Sequence, residues 1–160
     1  MGTKKYRLTG NHINIGSRIL YQIEALKDFG DVKAGDLGGY IESEENLSQY
    51  DIAWVYGDAQ VLGNAQVFDN ARVYGNACVF GDAQIKSARD YIVFKNWWSS
   101  GRYFTWTRSN NMWKVGCFYG TGEELIKKAY NDSEISGREY ERVVRYVESI
   151  LNDNYENKED

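Results

Sequence analysis

Residues 53–88 read AWVYGDAQVLGNAQVFDNARVYGNACVFGDAQIKSA, and the period of this stretch decides how the chain is expected to fold. Val55, Val61, Val67, Val73, Val79 and Ile85 recur every six positions, and Ala59, Ala65, Ala71, Ala77 and Ala83 recur in step with them. A beat of six fits neither a helix face at about 3.6 residues nor a flat strand at about 2, so the backbone must turn a corner at fixed intervals. Each hexad then supplies one short strand with a stiff β-branched side chain pointing inward and a small alanine beside the next corner. Gly57-Asp58, Gly63-Asn64, Gly75-Asn76 and Gly81-Asp82 suit those corners, because Gly, Asn and Asp accept the backbone angles of sharp turns. Ordinary hairpins with Gly-Asn turns would not hold valine in one register through six hexads. The expected object is a three-sided prism of parallel strands.

These residues resemble the left-handed parallel β-helix of hexapeptide-repeat proteins, a family that includes trimeric acyltransferases. The left hand is implied by the resemblance, since spacing carries no handedness. Residues 21–39, YQIEALKDFGDVKAGDLGG, and 116–121, GCFYGT, are in turn similar to hexapeptide-repeat proteins of bacteriophages and prophages. The fold class expected is mainly β with a C-terminal α+β part: a short left-handed parallel β-helix, capped by N-terminal strands and by a C-terminal hairpin plus two helices. The boundaries expected are 1–46 for the N-terminal strand and turn cap, 47–88 for the repeat, 89–152 for the hairpin and two-helix module, and 153–160 for a polar tail. Ile41 and Leu47, six apart, suggest one imperfect coil beginning near Leu37.

Beyond the repeat, Tyr103 to Arg108 and Met112 to Phe118 read as a hairpin closed by a two-residue turn at Asn110-Asn111. That register would set Arg108 opposite Trp113, Trp106 opposite Val115 and Phe104 opposite Cys117. Two helices follow, each opening on a hydroxyl three residues before a glutamate: Thr121 with Glu124, and Ser136 with Glu139. Tyr140, Val143, Val144, Val147 and Leu151 give the second helix an apolar stripe for packing on the hairpin.

With 160 residues, 42% hydrophobic content and no apolar run near the ~20 residues of a membrane span, the expected setting is the cytoplasm, which the phage resemblance implies is that of a bacterial host. Cys78 and Cys117 have no metal-ligand spacing, so neither metal nor cofactor is expected. Net charge is −4, yet residues 91–117 carry Lys95, Arg102, Arg108 and Lys114 with no acidic residue. A confined basic zone in an acidic chain points to a small anionic ligand such as a nucleotide, or to an acidic protein groove, rather than to long nucleic acid.

Two constellations are candidates for function. Trp97, Trp98, Arg102, Tyr103, Arg108 and Lys114 combine flat aromatic faces with cations, the pairing that stacked bases and phosphates need. Tyr56, Leu62, Phe68, Tyr74 and Phe80 each follow an inward valine and so form apolar columns on the outside. Burying those columns against further copies makes a homo-oligomer, and the resemblance implies a trimer. His12 is the sole histidine and lies outside the repeat, which argues against the general-base chemistry of the acyltransferases. The function expected is a non-catalytic binding protein, and the resemblance implies a phage-encoded one acting in counter-defence. It would sequester a nucleotide immune signal or block a host defence protein such as a CRISPR effector. The alternatives are an acyltransferase and a structural or scaffolding phage protein.

Overall fold

A computed structural model describes residues 4–153. The N-terminal strands are β1 (Tyr6–Ile15), β2 (Arg18–Ala25) and β3 (Leu37–Ile41). The repeat provides six two-residue strands: β4 (Trp54–Val55), β5 (Gln60–Val61), β6 (Gln66–Val67), β7 (Arg72–Val73), β8 (Cys78–Val79) and β9 (Gln84–Ile85). Then come β10 (Tyr91–Lys95), β11 (Tyr103–Thr107), β12 (Met112–Val115), β13 (Phe118–Gly120), α1 (Gly122–Asp132) and α2 (Glu134–Leu151).

The expected left-handed parallel β-helix with separate caps is corrected. The chain is mainly β and builds several small sheets, with two helices at its C-terminal end and no closed or helical solenoid among the described residues. One sheet is mixed and five-stranded, in the order β1-β2-β3-β5-β8; β4 pairs β7, β6 pairs β9, and a separate four-stranded sheet runs β10-β11-β12-β13. The periodicity does set burial and register. Each valine of the repeat, with Ile85, is fully buried, as are the alanines beside the corners. Trp54 lies parallel to Arg72, Gln60 to Cys78 and Gln66 to Gln84. What it does not set is how such short strands join into sheets, because that depends on which backbone edges meet. Here Tyr40 and Ile41 pair with Gln60 and Val61, so the antiparallel N-terminal strands run edge to edge into the repeat instead of lying on its end.

That junction depends on two glycines. A Cβ at Gly38 would stand 2.6 Å from the Val55 carbonyl oxygen, and one at Gly39 2.5 Å from that of Ala59. Only a residue without a side chain lets β3 approach this closely.

Polar side chains close both ends of the repeat, where short strands would otherwise leave backbone groups unpaired. At the start, buried Asn46 accepts from the Glu42 and Ser43 amides and donates to the Gly63 and Ala65 carbonyls. Lys5, also buried, donates to the Asp51 and Ala53 carbonyls at 3.0 and 2.6 Å, pairs with Asp51 and sits over the Phe29 ring. Burial is the larger influence on its ammonium and draws the pKa down from 10.5 to about 8, against the pull of Asp51. At the far end, three hydroxyls from the four-stranded sheet and its turn accept backbone amides from the last strands. Tyr91 takes that of Tyr74, Thr105 that of Cys78, and Ser109 that of Gln84, at 3.1, 2.9 and 2.8 Å.

The C-terminal part differs from the sequence reading in two details. β11 and β12 pair Phe104 with Val115 and Trp106 with Trp113, joined by a four-residue turn over Arg108–Asn111. The side chains of Asn110 and Asn111 hold that longer turn by bonding Thr107 and Trp106. Helix α1 has the expected reciprocal cap between Thr121 and Glu124. Helix α2 starts before Ser136, capped by Ser133, whose side chain accepts the Ser136 amide. The Ser136 hydroxyl is occupied instead by the indole N–H of Trp98.

The described residues form two apolar clusters. One runs through the repeat from Tyr6 to Ile85; the other joins Phe104, Trp106 and Trp113 to Leu125, Tyr140, Val144 and Val147 of the helices.

Candidate functional site

Three elements meet around the outer face of β5 and β8 and leave a cleft of about 740 Å³. The tip of the β1–β2 hairpin supplies Asn14 through Arg18. The repeat supplies Gln60, Leu62, Asn76, Cys78 and Phe80, and the four-stranded sheet supplies Arg102, Tyr103, Lys114, Gly116 and Cys117. The thirds of this wall lie far apart in sequence and converge for a backbone reason. β5 and β8 are consecutive strands of the mixed sheet, β2 belongs to the same sheet, and β11 docks on β8 through the Thr105–Cys78 hydrogen bond.

The charged side chains of the lining are all basic, although Glu42 just outside it pairs with Arg18 at 2.8 Å. Arg18, Arg102 and Lys114 line the cleft, and no aspartate or glutamate does. The Arg18 guanidinium and the Lys114 ammonium lie 5.2 and 5.3 Å from the centre of the Phe80 ring, which places them no more than about 10.5 Å apart. The Phe80 ring makes a T-shaped contact with Tyr119, and Asn110 holds the Tyr119 hydroxyl. Lys114 also donates to the Gly116 carbonyl. Arg102 lies against Gly116 so closely that a Cβ there would stand 2.5 Å from its Nη1. Burial pushes the Cys78 thiol pKa up, with Lys114 pulling the other way, so the thiol itself stays protonated and uncharged near physiological pH. Asn14, Gln60 and Asn76 add amide groups able both to donate and to accept.

The residues proposed from sequence are distributed unevenly. Arg102, Tyr103 and Lys114 come together in the cleft. Trp97 stands 71% exposed on the loop after β10, outside the lining. Trp98 turns inward, with its ring 4.9 Å from that of Tyr140. Arg108 begins the β11–β12 turn, away from the lining, with its backbone amide on the Asp90 carbonyl. Of the outward-facing column residues, Leu62 is buried within the single chain and Phe80 is the cleft floor. Tyr56 and Tyr74 stack with ring centres 4.5 Å apart; Tyr74 is 44% exposed and Phe68 half-buried. Sequence reasoning missed Arg18. Its only local signal is a cation after the Gly16-Ser17 turn, and nothing nearby in the chain reports that this turn overhangs Phe80.

His12 sits on β1, exposed, tilted against Tyr21 at 6.1 Å and absent from the cleft lining. No group of three or more His, Cys, Asp or Glu side chains able to hold a metal ion occurs among the described residues. Among these residues no helix is long and apolar enough to cross a membrane.

No protein-family model matches the chain, and no curated protein matches it.

Proposed function

We propose that this chain is a non-catalytic binding protein whose cleft takes up a small anionic ligand carrying a flat ring, with a nucleotide as the class that fits. The observation behind this reading is the convergence of Arg18, Arg102 and Lys114 around Phe80 and Tyr103, in a cleft whose lining holds no carboxylate. Phosphate oxygens need fixed cations, and a base needs an aromatic face and amide partners; both sets are present. A volume of about 740 Å³ lies in the range of small-molecule sites. A net charge of −4 supports a short ligand over a long polyanion. The resemblance to phage and prophage proteins gives this binding its biological setting: sequestration of a nucleotide immune signal as counter-defence. Self-association belongs to the same proposal, through the Tyr56–Tyr74 stack and Phe68 on the outer face.

The test is isothermal titration of AMP, ATP and cyclic mono- and dinucleotides into wild-type protein and a Lys114→Ala variant. Binding of at least one nucleotide, weakened about tenfold or more in Lys114→Ala, is the expected result. Failure of the whole panel sinks the reading. An acyltransferase would instead turn over an acyl-coenzyme A substrate and lose that turnover in His12→Ala.

A further inference from the structure

Arg18 differs from the other two cations of the cleft because it already has an anionic partner. Its Nη1 lies 2.8 Å from Glu42 Oε1, and the same oxygen accepts the Gly63 amide at 2.8 Å. The tip that carries Arg18 reaches past the rest of the sheet. β2 makes its last pair with β3 at Tyr21–Ile41, whereas β1 and β2 stay paired to Ile15–Arg18. Leu20 is fully buried and anchors the base of this two-stranded ribbon; beyond it Asn14, Gly16, Ser17 and Arg18 are exposed, and Gly16 makes the turn at φ +61°. Arg18 ties the tip to the body, through Glu42 on one side and the Phe80 ring on the other. Both members of the ion pair are partly solvated, so the pair is a weak one that a better anion can displace.

We propose that the β1–β2 tip is a strap, and that Arg18 is a ligand contact released by exchange: an anionic group entering the cleft replaces Glu42 as its partner and draws the tip down. This rests on the cleft being an anion site. It adds that the resident carboxylate of Glu42 competes with the ligand, so binding is set by the difference between two ion pairs rather than by one. Removing the competitor therefore strengthens binding, whereas removing a residue that merely supported the fold would weaken it.

The experiment uses the full chain with pyrophosphate and ATP as probes, in wild type, Arg18→Ala, Glu42→Gln and Lys114→Ala. Glutamine keeps an oxygen for the Gly63 amide and removes only the charge. Glu42→Gln is expected to bind the probes about three- to fivefold more tightly, the reach of an exposed ion pair. Arg18→Ala is expected to bind them about tenfold more weakly. Hydrogen exchange gives a readout that needs no ligand: amides of residues 14–18 should exchange faster in Glu42→Gln than in wild type, and slow down when a probe binds wild type. Unchanged exchange at the tip in ligand-free Glu42→Gln overturns the strap whether or not a probe binds. Probes that bind, lose affinity in Lys114→Ala and are indifferent to Arg18 and Glu42 leave the cleft reading standing and overturn the exchange. Failure of both probes to bind wild type overturns the exchange together with the phosphate-binding part of the cleft reading.

Discussion

Replacing Asn46 by alanine should be among the most damaging single changes in the repeat. Asn46 is fully buried at its start, and its side chain makes four hydrogen bonds to backbone: from the Glu42 and Ser43 amides at 3.0 and 2.9 Å, and to the Gly63 and Ala65 carbonyls at 3.2 and 2.8 Å. Alanine leaves all four groups without this partner. The Ala65 carbonyl bond is buried and the other three are partly buried, so water can rescue some of the loss. The Glu42 amide keeps the Val61 carbonyl at 3.1 Å. With about 2 kcal/mol for the buried acceptor and about 0.5–1 kcal/mol for each of the Ser43 amide and the Gly63 carbonyl, the expected destabilisation is about 3–4 kcal/mol. In a chain of this size that lowers the melting temperature by about 6–16 °C. Urea denaturation followed by circular dichroism measures it, with an unchanged m-value confirming that stability rather than the unfolded state has moved. Asn46→Asp should be no better, since a carboxylate keeps the acceptor but faces two carbonyl oxygens where the amide donated. A loss below about 1.5 kcal/mol for Asn46→Ala would show that solvent reaches these groups, and the account of how the repeat is closed would fail.

Gly39→Ala should leave little soluble folded protein, because its Cβ would meet the Ala59 carbonyl oxygen at 2.5 Å and the Val55 side chain at 2.7 Å; a wild-type melting curve would refute the close approach of β3. Thr105→Val keeps the side-chain shape but strips the Cys78 amide of its acceptor, which should cost about 1–2 kcal/mol in the same urea assay, whereas Thr105→Ser should cost less. Lys5 gives stability a dependence on pH. Its folded pKa of about 8 lies below the unfolded value, so between about pH 8 and 10.5 the unfolded chain holds the proton more tightly. Wild type should therefore gain stability relative to Lys5→Met as pH rises through that window, and the difference should be flat below it. A difference that falls with rising pH would refute the assignment.

The valines and alanines of the repeat announced their own burial, because a strict period leaves one side of every hexad apolar. The capping pair Thr121 and Glu124 was equally plain, both partners lying within one helical turn. Ser136 was not: it has the same local pattern as Thr121, but Ser133 caps the helix and Trp98, distant in sequence, claims the Ser136 hydroxyl. The cleft was half legible. Arg102, Tyr103 and Lys114 stood out as cations and an aromatic in a zone without acid. Arg18 did not, and Phe80 stood out only as an outward apolar residue for self-association, since nothing local ties a residue before the repeat to one near its end.

By itself the sequence determined which side chains turn inward along residues 53–88, the parallel register of that stretch, the presence of two helices and the cap of the first. All of these follow from periodicities and pairs separated by a few positions, where the backbone's own geometry does the placing. Only the tertiary structure decided that the antiparallel N-terminal strands continue into the repeat as one sheet, that Lys5 and Asn46 close one end and three hydroxyls the other, and that Arg18 overhangs a cleft floored by Phe80. Those arrangements depend on which sheet edges and side chains meet across tens of residues. Their energies come from satisfying buried backbone groups and from opposing charges in space, and neither leaves a mark in the local pattern of the chain.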